Sequence, residues 1–514
     1  MAASLAQSDR MSKKPNILIL MADQMSAPFL PFYGDSPVQV PTLSRLAEEG
    51  VLFTSAYSNS PLCAPARFSL QSGCLPSRIG AYDNAAEFKA STPTMAHYLR
   101  IGGYRTILSG KMHFAGPDQL HGYEERLSTD IYPADFGWTP DWTDFPTRPT
   151  WYHSLDSVLT SGPTVRTNQI DFDEEVVFTA RRKLYDIARD NDDRPFFMTV
   201  SLTHPHDPYA IHQKYWDRYE GVDIPLPKVR REDVAQDPHS ERLRHVCDLD
   251  AQPVTDAMIK RTRRAYFGSI SFVDDQFAAV LETLEECGLA DDTIVVVCGD
   301  HGDMLGERGL WYKMHYFEHA ARIPMIIHAP SRYSPRRVDA SVSLIDIAPT
   351  LLEMAGISID PALPFDGRSL VPHCEGTGGH DEVIGEYMGE GTIAPLVMIR
   401  RGPWKFIHSR VDPDMLFNLA NDPLEKTNRA ADPALADMIA AFHAEIAQRW
   451  DFDAITRDVI ASQRSRRVVG EANAIGKITH WDHNPPRDAG EDYVRAHMDL
   501  EELESMARYP RVRS

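Results

Sequence analysis

Apolar residues along this chain gather in short unbroken runs, and most of those runs end on polar residues capable of chemistry. Residues 14–23 read KPNILILMAD. A run that is apolar at every position and ends in a carboxylate predicts a central strand of a parallel sheet, buried on both faces, with a functional residue at its C-terminal end. The pattern recurs at 104–108, 194–202 (RPFFMTVSL), 293–298 (TIVVVC) and 323–328. Between these runs lie helical stretches. Residues 42–50 are closed by Gly50, and residues 92–103 have Thr92 as a candidate N-cap and Pro93 at the first helical position. Residues 276–286 read as a helix, and 341–354 add a strand and a helix. This alternation predicts an α/β fold, a sheet with helices on both faces.

The pattern changes twice. Residues 112–170 form a long stretch rich in Pro, Asp, Trp and Tyr, and ordered loops of that length are usually functional. Near residue 376 a second unit begins. Residues 396–407 alternate around GPWKFI, which predicts antiparallel strands, and 432–450 read as a helix. From about 451 the chain is polar and rich in Arg, Asp and Pro, as an extended arm would be. The expected division is a catalytic domain over 14–375, a smaller α+β subdomain over 376–455 and a C-terminal extension over 456–514.

Composition narrows the class. The 514 residues are 43% hydrophobic and 25% charged, as expected of a soluble globular protein with room for more than one core. A net charge of −21, with only the short basic stretch 464–467 to set against it, argues against nucleic acid as a partner. The polar N-terminus lacks a signal-type apolar segment, and the run 17–22 is too short to span a bilayer, so a cytoplasmic protein with no membrane partner is expected. Six cysteines without a C-x-x-C pair are too sparse for a disulfide scaffold and do not suggest a structural zinc site.

Five places carry candidate chemistry. Cys63, Pro65 and Arg67 form C-x-P-x-R before a run that can be helical, where a helix N-terminus favours an anion and Arg67 lies one turn on. Asp300 and His301 follow the 293–298 run, and Asp23 with Gln24 follows the first strand; carboxylate, amide and imidazole together suit a divalent cation. Lys111 and His113 alternate after the 104–108 run, His204 and His206 follow the 194–202 run, and Lys313 sits in GLWYKMHYFE. Each has a plainer reading as a loop cap, a buried thiol or a solvated lysine. Taken together, however, metal-binding and anion-binding residue types recur at one strand end after another, and independent coincidence explains that poorly.

These residues resemble the type I sulfatases and, within them, the bacterial choline-sulfatase group. The first signature of that family is present as Cys63, Pro65 and Arg67 with Ser72-Gly73, and the second runs from Gly103 to His113. Longer strings carry the closer likeness, among them SPLCAPAR, YDNAAEF, THPHDPY, DHGDMLGERGLW and the tail from Trp481 to Pro510. The resemblance implies an alkaline-phosphatase-like fold, with a large, mixed, mostly parallel sheet between helices, a C-terminal antiparallel sheet and an oligomerisation arm. It implies Cys63 oxidised to formylglycine by dedicated machinery, and one divalent cation, Ca2+ with Mn2+ as its rival, on Asp23, Gln24, the modified Cys63, Asp300 and His301. Many family members have two adjacent Asp where this chain has Asp23-Gln24, which leaves the metal open.

The same resemblance implies that Arg67 and Lys111 stabilise the nucleophile, His113 serves as base, and His204 with Lys313 protonates the leaving oxygen. A choline head would meet Trp138, His153 and Glu390, with Trp142, Trp151, Tyr152 and Glu386 as further candidates. Asp499 would reach the site of a neighbouring subunit in a homo-oligomer, a dimer or tetramer. The implied reaction is hydrolysis of choline-O-sulfate to choline and sulfate, with choline feeding osmoprotectant synthesis. The alternatives are a phosphonate monoester or phosphodiester hydrolase, a sulfatase for another small alkyl sulfate, and an anion-binding protein without activity if Cys63 stays unmodified.

Overall fold

The computed structural model describes residues 14–476. In chain order its strands are β1 (Asn16–Ala22), β2 (Val51–Tyr57), β3 (Arg105–Gly110), β4 (Glu125–Arg126), β5 (Gly162–Thr164), β6 (Phe196–Leu202), β7 (Ala210–His212), β8 (Thr293–Gly299), β9 (Met325–His328), β10 (Arg336–Ser343), β11 (Glu382–Tyr387), β12 (Leu396–Arg401), β13 (Trp404–Ser409) and β14 (Asp412–Asn418). Eight of them form one sheet in the order β10-β2-β9-β8-β1-β6-β3-β4. Only β9 runs antiparallel to its neighbours.

Burial on both faces explains why β1 reads NILILMA. Ile17, Ile19 and Met21 enter one core, and Leu18, Leu20 and Ala22 enter the other. The first core is covered by the helices Cys63–Ser72, Met95–Ile101 and Ile347–Met354, the second by Asn168–Arg189 and Asp256–Glu286. Fully burying each large aliphatic side chain contributes roughly 1.5–3 kcal/mol, so two independent cores hold the central strand in place.

Several elements differ in extent from the sequence reading. The helix expected over 92–103 is Met95–Ile101, and its cap is Thr94, which accepts from the His97 N–H; Thr92 instead closes a turn onto Lys89. The helix expected over 276–286 is the last part of the 31-residue Asp256–Glu286. Its earlier turns carry basic residues whose stems pack inward while their heads find partners, Arg263 with Glu307 and Arg264 over Trp216, so the apolar period is masked. Helix Asn168–Arg189 begins inside the stretch read as loop, capped by the Thr167 side chain. The expected arm begins with a 22-residue helix, Phe452–Asn473.

Strands β11 to β14 form a separate antiparallel sheet in sequential order. One buried cation ties it to the main body. Lys405 on β13 is 0% exposed and donates to Tyr316 O at 2.7 Å and Glu318 at 2.8 Å, and it lies 2.6 Å from Glu425. Burial alone would raise the pKa of Glu318, but Lys405 and then Arg322 overcome it and hold the carboxyl at about 2. Lys405→Met strands two buried carboxylates, and loss of one partner of a buried pair costs about 3–5 kcal/mol. The urea-unfolding midpoint of this variant should fall accordingly; an unchanged midpoint would mean that the two sheets do not depend on this ion pair.

Candidate active site

Strands β8, β1, β6 and β3 are adjacent and parallel, with Ala22 opposite both Gly299 and Leu202, and Gly110 opposite Ser201. The residues that follow them, Asp23-Gln24, Asp300-His301 and Lys111, therefore emerge along one edge, where α/β sheets bind ligands. Helix Cys63–Ser72 starts at the same edge. Its N-cap, Leu62, offers no side-chain acceptor, and the Ala64 N–H is taken by Asn84 Oδ1 at 3.0 Å.

Arg67 locks these pieces together. Its Nε donates to Asp300 Oδ2 at 2.8 Å and its Nη2 to Asp23 Oδ2 at 3.0 Å, while Nη1 reaches Ser201 Oγ at 2.9 Å and Lys111 O at 2.6 Å. Lys111 pairs with the same Asp23 and lies 4.0 Å from the centre of the Tyr132 ring. Burial would raise Asp23's pKa, but Lys111 and then Arg67 hold it well below the usual carboxylate range. Gln24 takes a left-handed conformation (φ 61), kept by its N–H donating to Asp300 Oδ1 at 2.9 Å. Its amide oxygen accepts from Lys313 Nζ at 2.7 Å and its amide nitrogen donates to Asp303 at 2.6 Å.

Cys63 Sγ lies 3.2 Å from His301 Nε2 and 3.8 Å from Asp23 Oδ1. Burial, and next Asp23, push its thiol up to about 12, so an unmodified Cys63 stays protonated and weakly nucleophilic at neutral pH. Asp23, Cys63, Asp300 and His301 each offer a ligand atom, all within 4.8 Å of one another. Burial lowers the pKa of His301 to about 4, leaving a neutral imidazole. Two carboxylates and an imidazole, with the Gln24 amide alongside, fit a hard divalent cation such as Ca2+ or Mn2+. The charge balance fits as well. Arg67 and Lys111 offset Asp23 and Asp300, and Asp207 faces Lys313, so a divalent cation would leave the site positive and matched to an anion.

A cavity of about 340 Å³ opens beside Cys63. Of the residues predicted from sequence, it brings together Cys63, His113, Lys313, Trp138, His153 and Glu390, with Trp151 and Tyr152. Both His113 ring nitrogens are buried without a hydrogen-bond partner among the described residues, and burial, then Lys111, lower its pKa to about 3. Glu390 Oε2 is likewise buried without a hydrogen-bond partner among the described residues, and burial raises its carboxyl to about 7. His153 stacks on Tyr312 and faces Asp207 at 3.3 Å.

Three expected residues are elsewhere. His204 is not on the cavity: its Nδ1 pairs with Asp173 at 2.7 Å and its ring packs edge-on against Phe272. The place expected for it is held by His206, whose Nε2 lies 2.7 Å from Lys313 Nζ. Lysine only donates, so His206 Nε2 accepts and the proton sits on Nδ1, toward Asp207 O at 2.6 Å. Trp142 is buried with Tyr82, Met388 and Val459, and Glu386 is committed to Ser77 and to Trp450 Nε1. Asp499 lies outside the described residues. Tyr132, Asn84 and Asp207 also line the cavity and were missed. Asn84 and Asp207 fall inside the singled-out strings YDNAAEF and THPHDPY, but nothing in either string says which residue faces inward.

Residues 15–357 match the family model described as Sulfatase, residues 306–451 the one described as N-sulphoglucosamine sulphohydrolase, C-terminal, and residues 457–509 the one described as Choline sulfatase enzyme C terminal. A choline-sulfatase of Rhizobium meliloti (strain 1021) is 48% identical over 507 residues, covering 97% of this chain and 99% of that protein. The multifunctional alkaline phosphatase superfamily protein PehA of Trinickia caryophylli is 27% identical, covering 85% of this chain and 95% of its own. Among solved structures, the phosphonate monoester hydrolase of Agrobacterium radiobacter superposes with a TM-score of 0.66 at 24% identity, covering 85% of this chain and 95% of that one.

Proposed function

The chain belongs to the sulfatase family and is a hydrolase with an alkaline-phosphatase-like fold, and from that premise we propose that it cleaves choline-O-sulfate to choline and sulfate. One observation carries the choice of substrate. The cavity that holds Cys63, His113 and Lys313 is also lined by Trp138, Trp151 and Tyr152 and by Glu390, whose buried Oε2 has no hydrogen-bond partner among the described residues. A quaternary ammonium has no N–H to donate, so aromatic faces and a carboxylate are what can hold it; a desolvated cation over a ring is worth about 2 kcal/mol. The length of the relative's match and the match of 457–509 to the choline-sulfatase C-terminal model support the same reading.

Cys63, converted to formylglycine by its generating machinery, would supply an aldehyde hydrate, with one hydroxyl to attack sulfur and a second to let sulfate leave without water attacking the ester. Asp23, Gln24, Asp300 and His301 would hold one divalent cation, Ca2+ in the first instance, which would supply Lewis acidity beside that group. Arg67 and Lys111 fix Asp23 and Asp300 and present positive charge to the tetrahedral anion. His113, kept neutral by burial, accepts the proton of the second hydroxyl. Lys313, with its Nζ against His206, holds the proton destined for the leaving oxygen.

Trp138, in edge contact with His113 and Tyr132, forms the ammonium wall, His153 borders it and Glu390 supplies the counter-charge. The same anion-binding set accommodates phosphate and phosphonate esters as slower substrates. This reading also carries a cytoplasmic homo-oligomer with 456–514 as its arm, Asp499 reaching a neighbouring site, and a role in osmoprotectant metabolism. Among the described residues no helix is long and apolar enough to cross a membrane.

The deciding experiment compares choline-O-sulfate with an aryl sulfate that lacks the cationic tail. The choline ester should have the higher kcat/KM, and a higher value for the aryl ester would end the assignment. The Glu390 carboxyl is neutral below about 7 and charged above it. KM for choline-O-sulfate should therefore fall as pH rises through that value, and Glu390→Gln should flatten the dependence. His206→Asn should lower kcat by about 100-fold or more, the usual worth of a positioned acid-base group. His204→Asn should act on the unfolding midpoint instead; the reverse pattern would return the acid role to His204.

A further inference from the structure

The string YDNAAEF and the basic stretch 464–467 have no role in the chemistry above, yet they meet. Arg466, on helix Phe452–Asn473, is 6% exposed and forks onto Asp83, with Nη1 to Oδ1 at 2.6 Å and Nη2 to Oδ2 at 2.7 Å. Asp83 is fully buried and also accepts from the Ala85 N–H at 3.0 Å. The neighbouring residue is Asn84, which lines the cavity and accepts from the Ala64 N–H at the start of the helix that carries Cys63 and Arg67. On the other side, Arg466 Nη1 donates to Thr139 Oγ1 at 3.2 Å, next in sequence to Trp138. The same helix packs Val459 against Tyr82 and Trp142, and Gln463 Oε1 accepts from the Trp142 N–H at 3.0 Å.

We propose that Arg466 is a positioning residue that couples the C-terminal helix to both halves of the active site, to the nucleophile helix through Asp83-Asn84 and to the ammonium wall through Thr139-Trp138. A planar bidentate guanidinium on a carboxylate fixes direction as well as distance, which a lysine at the same place cannot do. Arg466 lies in the segment that matches the choline-sulfatase C-terminal model, so part of that segment supports the site from within the same chain. The Trp138 branch rests on the substrate reading above; the Asn84 branch rests only on Cys63 being the reacting residue.

The test uses the full chain with Arg466→Ala, Arg466→Lys and Thr139→Val, each checked for folding by circular dichroism and assayed on choline-O-sulfate and on an aryl sulfate that lacks the cationic tail. A displacement of about 1 Å at a reacting group can cost on the order of 100-fold in rate. Arg466→Ala is expected to lose about that much kcat on both esters, and Arg466→Lys, with charge but no fork, a smaller part of it. Thr139→Val cuts only the Trp138 branch and is expected to raise KM for the choline ester several-fold without the same rise for the aryl ester. Folded Arg466→Ala and Arg466→Lys with wild-type kcat and KM on both esters would overturn the proposal. If Arg466→Ala does not fold, Arg466→Lys and Thr139→Val decide, and wild-type constants in both would overturn it equally. Should the wild type prefer the aryl ester, the substrate reading fails, and the kcat of the two Arg466 variants still tests the nucleophile branch.

Discussion

The guanidinium of Arg67 is fully buried and bonds to four strand ends at once: Asp300 after β8, Asp23 after β1, Ser201 on β6 and the carbonyl of Lys111 after β3. Asp23 and Asp300 both accept from it. A buried carboxylate left without its cation costs several kcal/mol, so these loops stay where Arg67 puts them. Because Arg67 sits one turn into the helix that starts at Cys63, the same bonds set the distance from Cys63 Sγ to His301 and Asp23. The parallel sheet brings the strand ends to one edge, and Arg67 turns that edge into a site of fixed dimensions.

Electrostatics then divides the cavity. Around Cys63 the cationic groups Arg67, Lys111 and Lys313 stand among carboxylates already engaged, and His113 and His301 are kept neutral by burial, ready to accept a proton or a metal ion. Around Trp138, Tyr152 and Glu390 there is apolar surface and one carboxyl whose buried Oε2 has no partner among the described residues. A small zwitterionic ester, anionic at one end and a permanent cation at the other, satisfies both regions, whereas an ester without a cationic end leaves the Glu390 carboxyl unmatched.

Much of this was legible in the sequence, because buried parallel strands write themselves as unbroken apolar runs. β1, β6 and β8 were readable within a residue or two, and with them the positions of Asp23, Asp300 and His301 at their ends. What escaped was whatever depends on a partner distant in sequence. Helix Asp256–Glu286 was cut short because its inward-packed arginines look polar until Glu307 and Trp216 are beside them. His204 and His206 are two residues apart in one loop, and only Asp173 and Phe272 on one side and Lys313 on the other decide which ring meets the cavity. Glu386 and Glu390 are equally acidic in sequence, yet Ser77 and Trp450 use up the first, while Oε2 of the second has no partner among the described residues.

The account stands or falls on the side chain at position 63, since every other group described is arranged around it. The most direct measurement is the mass of the peptide that carries this position, taken from protein of known specific activity. The expected result is a peptide about 18 Da lighter than its cysteine form, the thiol having given way to an aldehyde, with its share of the total rising in step with activity. Fully active protein whose residue 63 is entirely unmodified cysteine would contradict the account.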